Sequence, residues 1–278
     1  VPYSGPVYNL QVSDDHTYSV GGLLVGNSSQ MLNSPIDPEV TEFDESKVKE
    51  FYVEARSEYA DTPCLILSDT EVYPLTSLNL YVAWDPALGK TSKTRVSKKS
   101  ENAVVVTFVT PDWHVGVLDE FAEICTPYKA MDVFLTYCKR YAGYVAGAVM
   151  DETLFQEVLK DLLRDRIREL ALHAPLRKVK IPKMMGGKDA RIRAWLSHYI
   201  EKGSFYVNRA CPKIRRQIRQ FGVEGAKRDL LDATALATKI WRRPETEVER
   251  ASRERVYRLV AASRGLTGYG QFSPGGLR

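Results

Sequence analysis

Four aspartates set out the chemistry this sequence can do. Asp85 follows the apolar run Leu80-Tyr81-Val82-Ala83-Trp84, and Asp151 follows Val145-Ala146-Gly147-Ala148-Val149-Met150. A carboxylate directly after such a run belongs at the end of a buried strand, on the edge of a sheet. Asp229 and Asp232 are three residues apart in a helical pattern, which puts both on one helix face. Carboxylates brought together from two strands and a helix repel one another unless a cation lies between them. Oxygen-only ligands favour a hard divalent ion such as Mg²⁺ or Mn²⁺. Two such ions suit in-line attack on a phosphodiester, one activating water and the other steadying the leaving oxygen. Taken singly, Asp85 could cap a turn before Pro86 and Asp229 could cap a helix. The order of all three acidic positions within this element pattern favours the metal reading.

The elements that must hold these acids can be read from the hydrophobic pattern. Strands are expected at 78–84, 103–109 and 114–121, with Asp112 and Trp113 in the turn between the last two. Pro127 opens a helix to about residue 141, with Met131, Phe134, Leu135 and Cys138 at helical spacing. A short apolar strand follows at 145–150, then a helix at 154–172, a short strand at 179–182, a helix at 188–200 and a small strand at 204–207. Helices at 212–221 and 229–241 close the pattern. This order predicts an α/β fold built on a mixed sheet flanked by helices.

The 278 residues are 44% hydrophobic and 27% charged, enough for a packed core and incompatible with global disorder. No apolar run approaches the ~20 residues of a membrane span, and no secretory leader pattern opens the chain. We therefore expect a soluble, cytosolic protein with no membrane partner. Cys64, Cys125, Cys138 and Cys211 form no CxxC pair and read as reduced, scattered thiols.

Net charge is only +4, so an anionic partner must be met by local clusters. Residues 37–58 are acidic, whereas lysine and arginine dominate from Arg164 onward. Lys93, Arg95 and Lys98 lie in a basic stretch at 90–99 that reads as a hairpin tip near the acids. Arg191, beside Lys188, is a further candidate to meet phosphates. In the helix at 212–221, Ile214, Ile218 and Phe221 form the core face and leave Arg215, Arg216 and Arg219 to meet phosphates. Leu88-Gly89-Lys90-Thr91 is not a phosphate loop, because the required upstream glycine is Trp84. His114, His173 and His198 are isolated and read as structural.

Together these segments resemble the nuclease domain of the tailed-phage terminase large subunit, a ribonuclease H-like fold, over roughly residues 28–243. The first acidic motif is Val82-Ala83-Trp84-Asp85-Pro86-Ala87. The second is Val149-Met150-Asp151-Glu152-Thr153-Leu154-Phe155-Gln156, where the family usually has glutamate at the position of Asp151. Lys188-Asp189-Ala190-Arg191-Ile192 is similar to the family's Lys-x-x-Arg-Ile segment. The third acidic motif is Lys227-Arg228-Asp229-Leu230-Leu231-Asp232-Ala233, with Arg228 where the family often has an acid. Gln30-Met31-Leu32-Asn33-Ser34-Pro35 resembles the junction between motor and nuclease domains. The resemblance implies an endonuclease that cuts concatemeric viral DNA during packaging in the cytoplasm of an infected bacterium. Asp85, Asp151 and Asp229 would bind two Mg²⁺ or Mn²⁺ ions, with Asp232 as an outer or alternate ligand and Lys188 catalytic. The implied partners are double-stranded DNA, the terminase ATPase domain (not included in this sequence), the small terminase subunit and the portal protein.

The first 27 residues resemble something else, the C-terminal splicing motifs of an intein. They carry Val7-Tyr8-Asn9-Leu10-Gln11-Val12, Asp14-Asp15-His16-Thr17-Tyr18 and Gly22-Leu23-Leu24-Val25-Gly26-Asn27. An asparagine amide can attack its own carbonyl and cleave the bond after it, and a hydroxyl must follow to receive the upstream chain. Asn27 and Ser28 have these two groups. The family usually has histidine at the position of Gly26, which leaves His16 as the candidate proton donor. An N-terminal intein half is the implied partner.

The expected organisation is an intein segment at 1–27, a junction from the motor domain at 28–78, a nuclease domain at 79–243 and a charged helix with a Gly-rich tail at 244–278. Two other functions fit parts of the pattern. One is a junction resolvase of the same fold class, against which the junction motif argues. The other is a non-catalytic packaging adaptor, in which the acids are only caps.

Overall fold

The computed structural model describes residues 17–20, 23–26, 42–87, 101–151, 160–169, 176–179, 187–246 and 249. Strands β1 (Thr17–Val20) and β2 (Leu23–Gly26) pair antiparallel as a two-stranded sheet of their own. The other nine strands form one mixed sheet. In chain order they are β3 (Lys49–Arg56), β4 (Thr62–Ile66), β5 (Val72–Pro74), β6 (Asn79–Asp85), β7 (Asn102–Val109), β8 (Val115–Glu123), β9 (Val145–Asp151), β10 (Leu176–Val179) and β11 (Phe205–Asn208). Their order across the sheet is β10-β9-β6-β7-β8-β11-β3-β4-β5. The helices are α1 (Pro127–Arg140), α2 (Lys160–Glu169), α3 (Lys188–Glu201), α4 (Pro212–Arg219) and α5 (Asp229–Ala237).

β6, β7 and β8 form an antiparallel meander at the centre. The rest follows from alternation along these strands. Tyr81 and Ala83 point to one face, where they pack with Ile192, Trp195 and Leu196 of α3, Ile214 and Ile218 of α4, and Leu230 and Leu231 of α5. Leu80, Val82 and Trp84 point to the other face, against Met131, Phe134, Leu135 and Cys138 of α1 and Leu163 of α2. A strand covered on both faces needs apolar residues at nearly every position. This is why Asn102–Val109 is mostly apolar rather than alternating. All eight residues are buried, and of the two polar ones Asn102 donates to the Cys125 carbonyl and Thr107 accepts from Trp241 Nε1. The result is the expected mixed α/β architecture with helices on both faces. Thr126 caps α1 by accepting from the Lys129 amide, with Pro127 in its first turn. Trp113 takes the positive φ (62°) of the β7–β8 turn.

Two segments differ from the sequence expectation. Residues 49–74, expected within a junction, supply β3, β4 and β5 to the same sheet. Their pattern hides this because β3 leaves Tyr52 and Val53 exposed and two prolines interrupt the run. Pro63 and Pro74 are accommodated in strands because β5 pairs only with Cys64, Leu65 and Ile66, so Pro63 faces no ladder on that side. The strand expected at 179–182 lies instead at Leu176–Val179, held in parallel register against Ala148–Asp151. All four cysteines are free thiols, as expected. Among the described residues no helix is long and apolar enough to cross a membrane.

Candidate active site

β6 delivers Asp85 to the end of the sheet as its last residue, after five buried positions. β9 runs parallel beside it, with Met150 opposite Trp84, so Asp151 ends its strand at the same edge. The Asp151 side chain lies outside the described residues. Asp229 and Asp232 come from the first turn of α5, a helix whose every residue is buried. Acidic side chains there are favoured by the positive end of the helix dipole. The N-cap Arg228 makes no side-chain cap. Instead, Gln217 of α4 accepts from the amides of Leu230 (2.9 Å) and Leu231 (3.3 Å), satisfying two of the four amides that a helix start leaves open. The Glu101 amide donates to Asp229 Oδ2 at 3.2 Å.

Lys188, the first residue of α3, inserts its ammonium among these acids. Its Nζ lies 2.9 Å from Asp85 Oδ2, 2.7 Å from Asp229 Oδ1 and 3.2 Å from Asp232 Oδ2. One turn along, Arg191 grips Asp232 with both arms of its guanidinium. Nε donates to Oδ1 at 2.7 Å, and Nη2 donates to Oδ2. The neighbouring residues pair crosswise: Lys188 meets Asp229, while Asp189 meets Arg228. α3 and α5 are thus joined at their N-termini by four oppositely charged side chains.

The charge balance here is strained towards the negative. Burial is the main influence on Asp85, and the charges of Asp232 and Asp229 add to it. Lys188 only partly offsets them, and the carboxyl is pushed up to about 7. Burial works against the Lys188 ammonium, but Asp85, Asp232 and Asp229 outweigh it and raise its proton affinity above that of an ordinary lysine. Among the described residues no three acidic, histidine or cysteine side chains form a preformed metal cage. The carboxylates close around an organic cation instead. Their chemistry suits a hard divalent ion: every ligand is an oxygen, and a carboxyl with raised proton affinity gains most from a nearby cation.

The structure thus brings Asp85, Lys188, Asp229 and Asp232 together, with the end of β9 beside them. Among the described residues, the arginines expected to contact phosphates each face a carboxylate here, except Arg216. Arg191 points inward to Asp232 rather than outward. Arg219 is bidentate to Glu45, both contacts at 2.7 Å, and Arg215 pairs with Glu45 and Glu50. Sequence spacing could not show these carboxylates, which lie some 170 residues away in the chain. Arg216 is exposed on the same helix. Lys93, Arg95 and Lys98 lie outside the described residues, as do His16, Asn27 and Ser28. His114 contacts Glu71 (3.0 Å) and packs edge-on against Tyr206, a structural placement. No sequence motif marks Gln217 or Glu101. A polar residue amid the apolar positions of helix 212–221 was the one available signal for Gln217.

No protein-family model matches the chain, and no curated protein matches it. Among solved structures it is similar to the large terminase nuclease from thermophilic phage G20c. With bound cobalt that structure is 10% identical, and with bound magnesium 13%; each has a TM-score of 0.43 and covers 73% of this chain and 98% of that chain. The Thermus phage P74-26 large terminase nuclease domain is also similar, at 12% identity and a TM-score of 0.40, over 69% of this chain and 90% of that one.

Proposed function

We propose that this chain is a divalent-metal-dependent DNA endonuclease of the viral packaging terminase type. The observation that carries the reading is the meeting of Asp85, Asp229 and Asp232 on Lys188, at the sheet edge where β9 also ends in Asp151. The residue motifs around these positions support the terminase assignment within that chemistry. Asp85, Asp151 and Asp229 would hold two Mg²⁺ or Mn²⁺ ions, with Asp232 beside them. Bound there, the ions would supply an activated water and a Lewis acid for the leaving oxygen. The protein's own part is to orient and to exclude. The buried first turn of α5 and the end of β6 fix two carboxylates with little freedom. Lys188, held by those same carboxylates, is placed to donate to a phosphate oxygen as charge builds on it. Lys93, Arg95, Lys98 and Arg216 are our candidates for backbone phosphate contacts on double-stranded DNA.

In this reading the ATPase motor domain, the small terminase subunit and the portal are the packaging partners, in the host cytoplasm. Residues 1–27 are the C-terminal part of an intein, with Asn27 and Ser28 at the splice junction. The deciding experiment is Mn²⁺-dependent nicking of supercoiled plasmid by the full chain. Asp85→Asn should lower the rate by at least about a hundredfold, since a neutral amide cannot balance cation charge. It should leave the circular dichroism spectrum unchanged. Cleavage by this variant at the wild-type rate would remove the site assignment. Preference for a four-way junction over linear duplex would move the protein to the resolvase class.

A further inference from the structure

The two acids of α5 sit three residues apart on one helix, yet their surroundings differ. Asp229 accepts from the Lys188 ammonium, which it shares with Asp85, through Oδ1 and from one backbone amide through Oδ2. Asp232 has both oxygens committed to a single rigid group: Arg191 Nε on Oδ1 and Arg191 Nη2 on Oδ2, with Lys188 3.2 Å from the latter. The Asp232 side chain is 4% exposed and that of Arg191 16%. A planar guanidinium seated on both oxygens of a buried carboxylate is the strongest and most directional pairing side chains offer. It neutralises the acid and takes one lone pair on each oxygen, with Lys188 close to a third. Breaking it would strand a buried charge.

From this geometry we infer that Arg191 is a positioning residue that keeps Asp232 out of the metal ligand set, so that Asp229 alone represents α5 among the ligands. Lys188 and Arg191 then divide one helix turn between two jobs. Lys188 faces the reacting centre, and Arg191 ties α3 to α5 behind it. This inference rests on the metal-dependent reading above and refines it, because spacing alone makes the two aspartates equivalent.

The test is Mn²⁺ titration of the full chain by calorimetry, without DNA. Asp229→Asn should weaken Mn²⁺ binding at least about a hundredfold, whereas Asp232→Asn should keep it within about threefold of wild type. Arg191→Gln frees the Asp232 carboxylate beside the site and should tighten binding about tenfold. The double variant Arg191→Gln with Asp232→Asn should return affinity to within about threefold of wild type, and it covers the case in which Arg191→Gln alone fails to fold. Arg191→Lys keeps the charge but loses the fork, and should fall between wild type and Arg191→Gln. A purely structural arginine would lower the melting temperature without moving Mn²⁺ affinity upward. Loss of binding in Asp232→Asn equal to that in Asp229→Asn would overturn the inference and leave the nuclease reading standing. Absence of Mn²⁺ binding by the wild-type chain would overturn both.

Discussion

Asp85 and Lys188 are half-buried partners that both hold their protons more tightly than usual, Asp85 through burial and Lys188 through the three acids around it. The folded protein holds Asp85 at a pKa of about 7, above the ~4 of an unfolded aspartate. Between those values the folded state binds a proton that the unfolded state has released. Stability therefore falls as pH rises from about 4 to about 7, and the loss is complete above the folded value. In EDTA, Asp85→Asn should melt higher than wild type at pH 8, with the difference shrinking at pH 5. An equal difference at both pH values would mean that Asp85 is not held against its charge. Lys188 makes a different prediction. Lys188→Ala should lower the single-turnover rate on saturating DNA by about tenfold to a hundredfold while changing DNA affinity little. Equal loss of affinity with an unchanged single-turnover rate would place this lysine on the DNA-binding surface.

At the scale of elements, the site depends on where three ends meet: the C-terminal end of β6, the N-terminus of α3 and the N-terminus of α5. α5 is short, entirely buried and lacks a side-chain N-cap of its own. Its register is held from outside by Gln217 of α4. Gln217→Leu keeps the volume and removes the acceptor, leaving two buried amides unpaired at a cost of about 1–3 kcal/mol. Urea denaturation should show a lower midpoint with an unchanged slope. Because the same amides precede Asp232 by one and two residues, plasmid nicking should also fall. A variant with lost stability but full activity would mean that the cap serves folding alone. Elements with a strong internal pattern were legible in the sequence. The mostly apolar run of β7 and the Pro127 start of α1 needed no neighbour to be recognised. β3 to β5 were not legible, because their exposed Tyr52 and Val53 and their prolines make sense only once the sheet supplies partners.

For the whole molecule, the nine-stranded sheet and the β1–β2 hairpin are separate sheets joined in one chain. Thr17 pairs with Gly26 at the end of the hairpin from which the sequence runs on to His16 and Asn27. Splicing chemistry needs a held backbone and proton donors that 27 residues do not build alone. The isolated chain should therefore keep residues 1–27 through prolonged incubation, as intact mass spectrometry would show. Mixing with a matching N-terminal intein half should release them, and Asn27→Ala should stop the release. Rapid loss without a partner would defeat this reading. The sequence by itself determined the class of fold and which acids end which elements. Hydrophobic periodicity and acids at strand ends and helix starts are local properties, and Asp85, Asp151, Asp229 and Asp232 can be placed by them. Only the tertiary structure decided what each charge faces. Arg191, Arg215 and Arg219 look alike as basic residues on helices, yet each meets a carboxylate brought from a distant part of the chain. Spacing gives the face a side chain occupies, and packing gives its partner across the gap. Charge pairing at a few ångströms depends on the second, so Lys188 reaching three acids and Arg191 sealing one of them had to be seen in the fold.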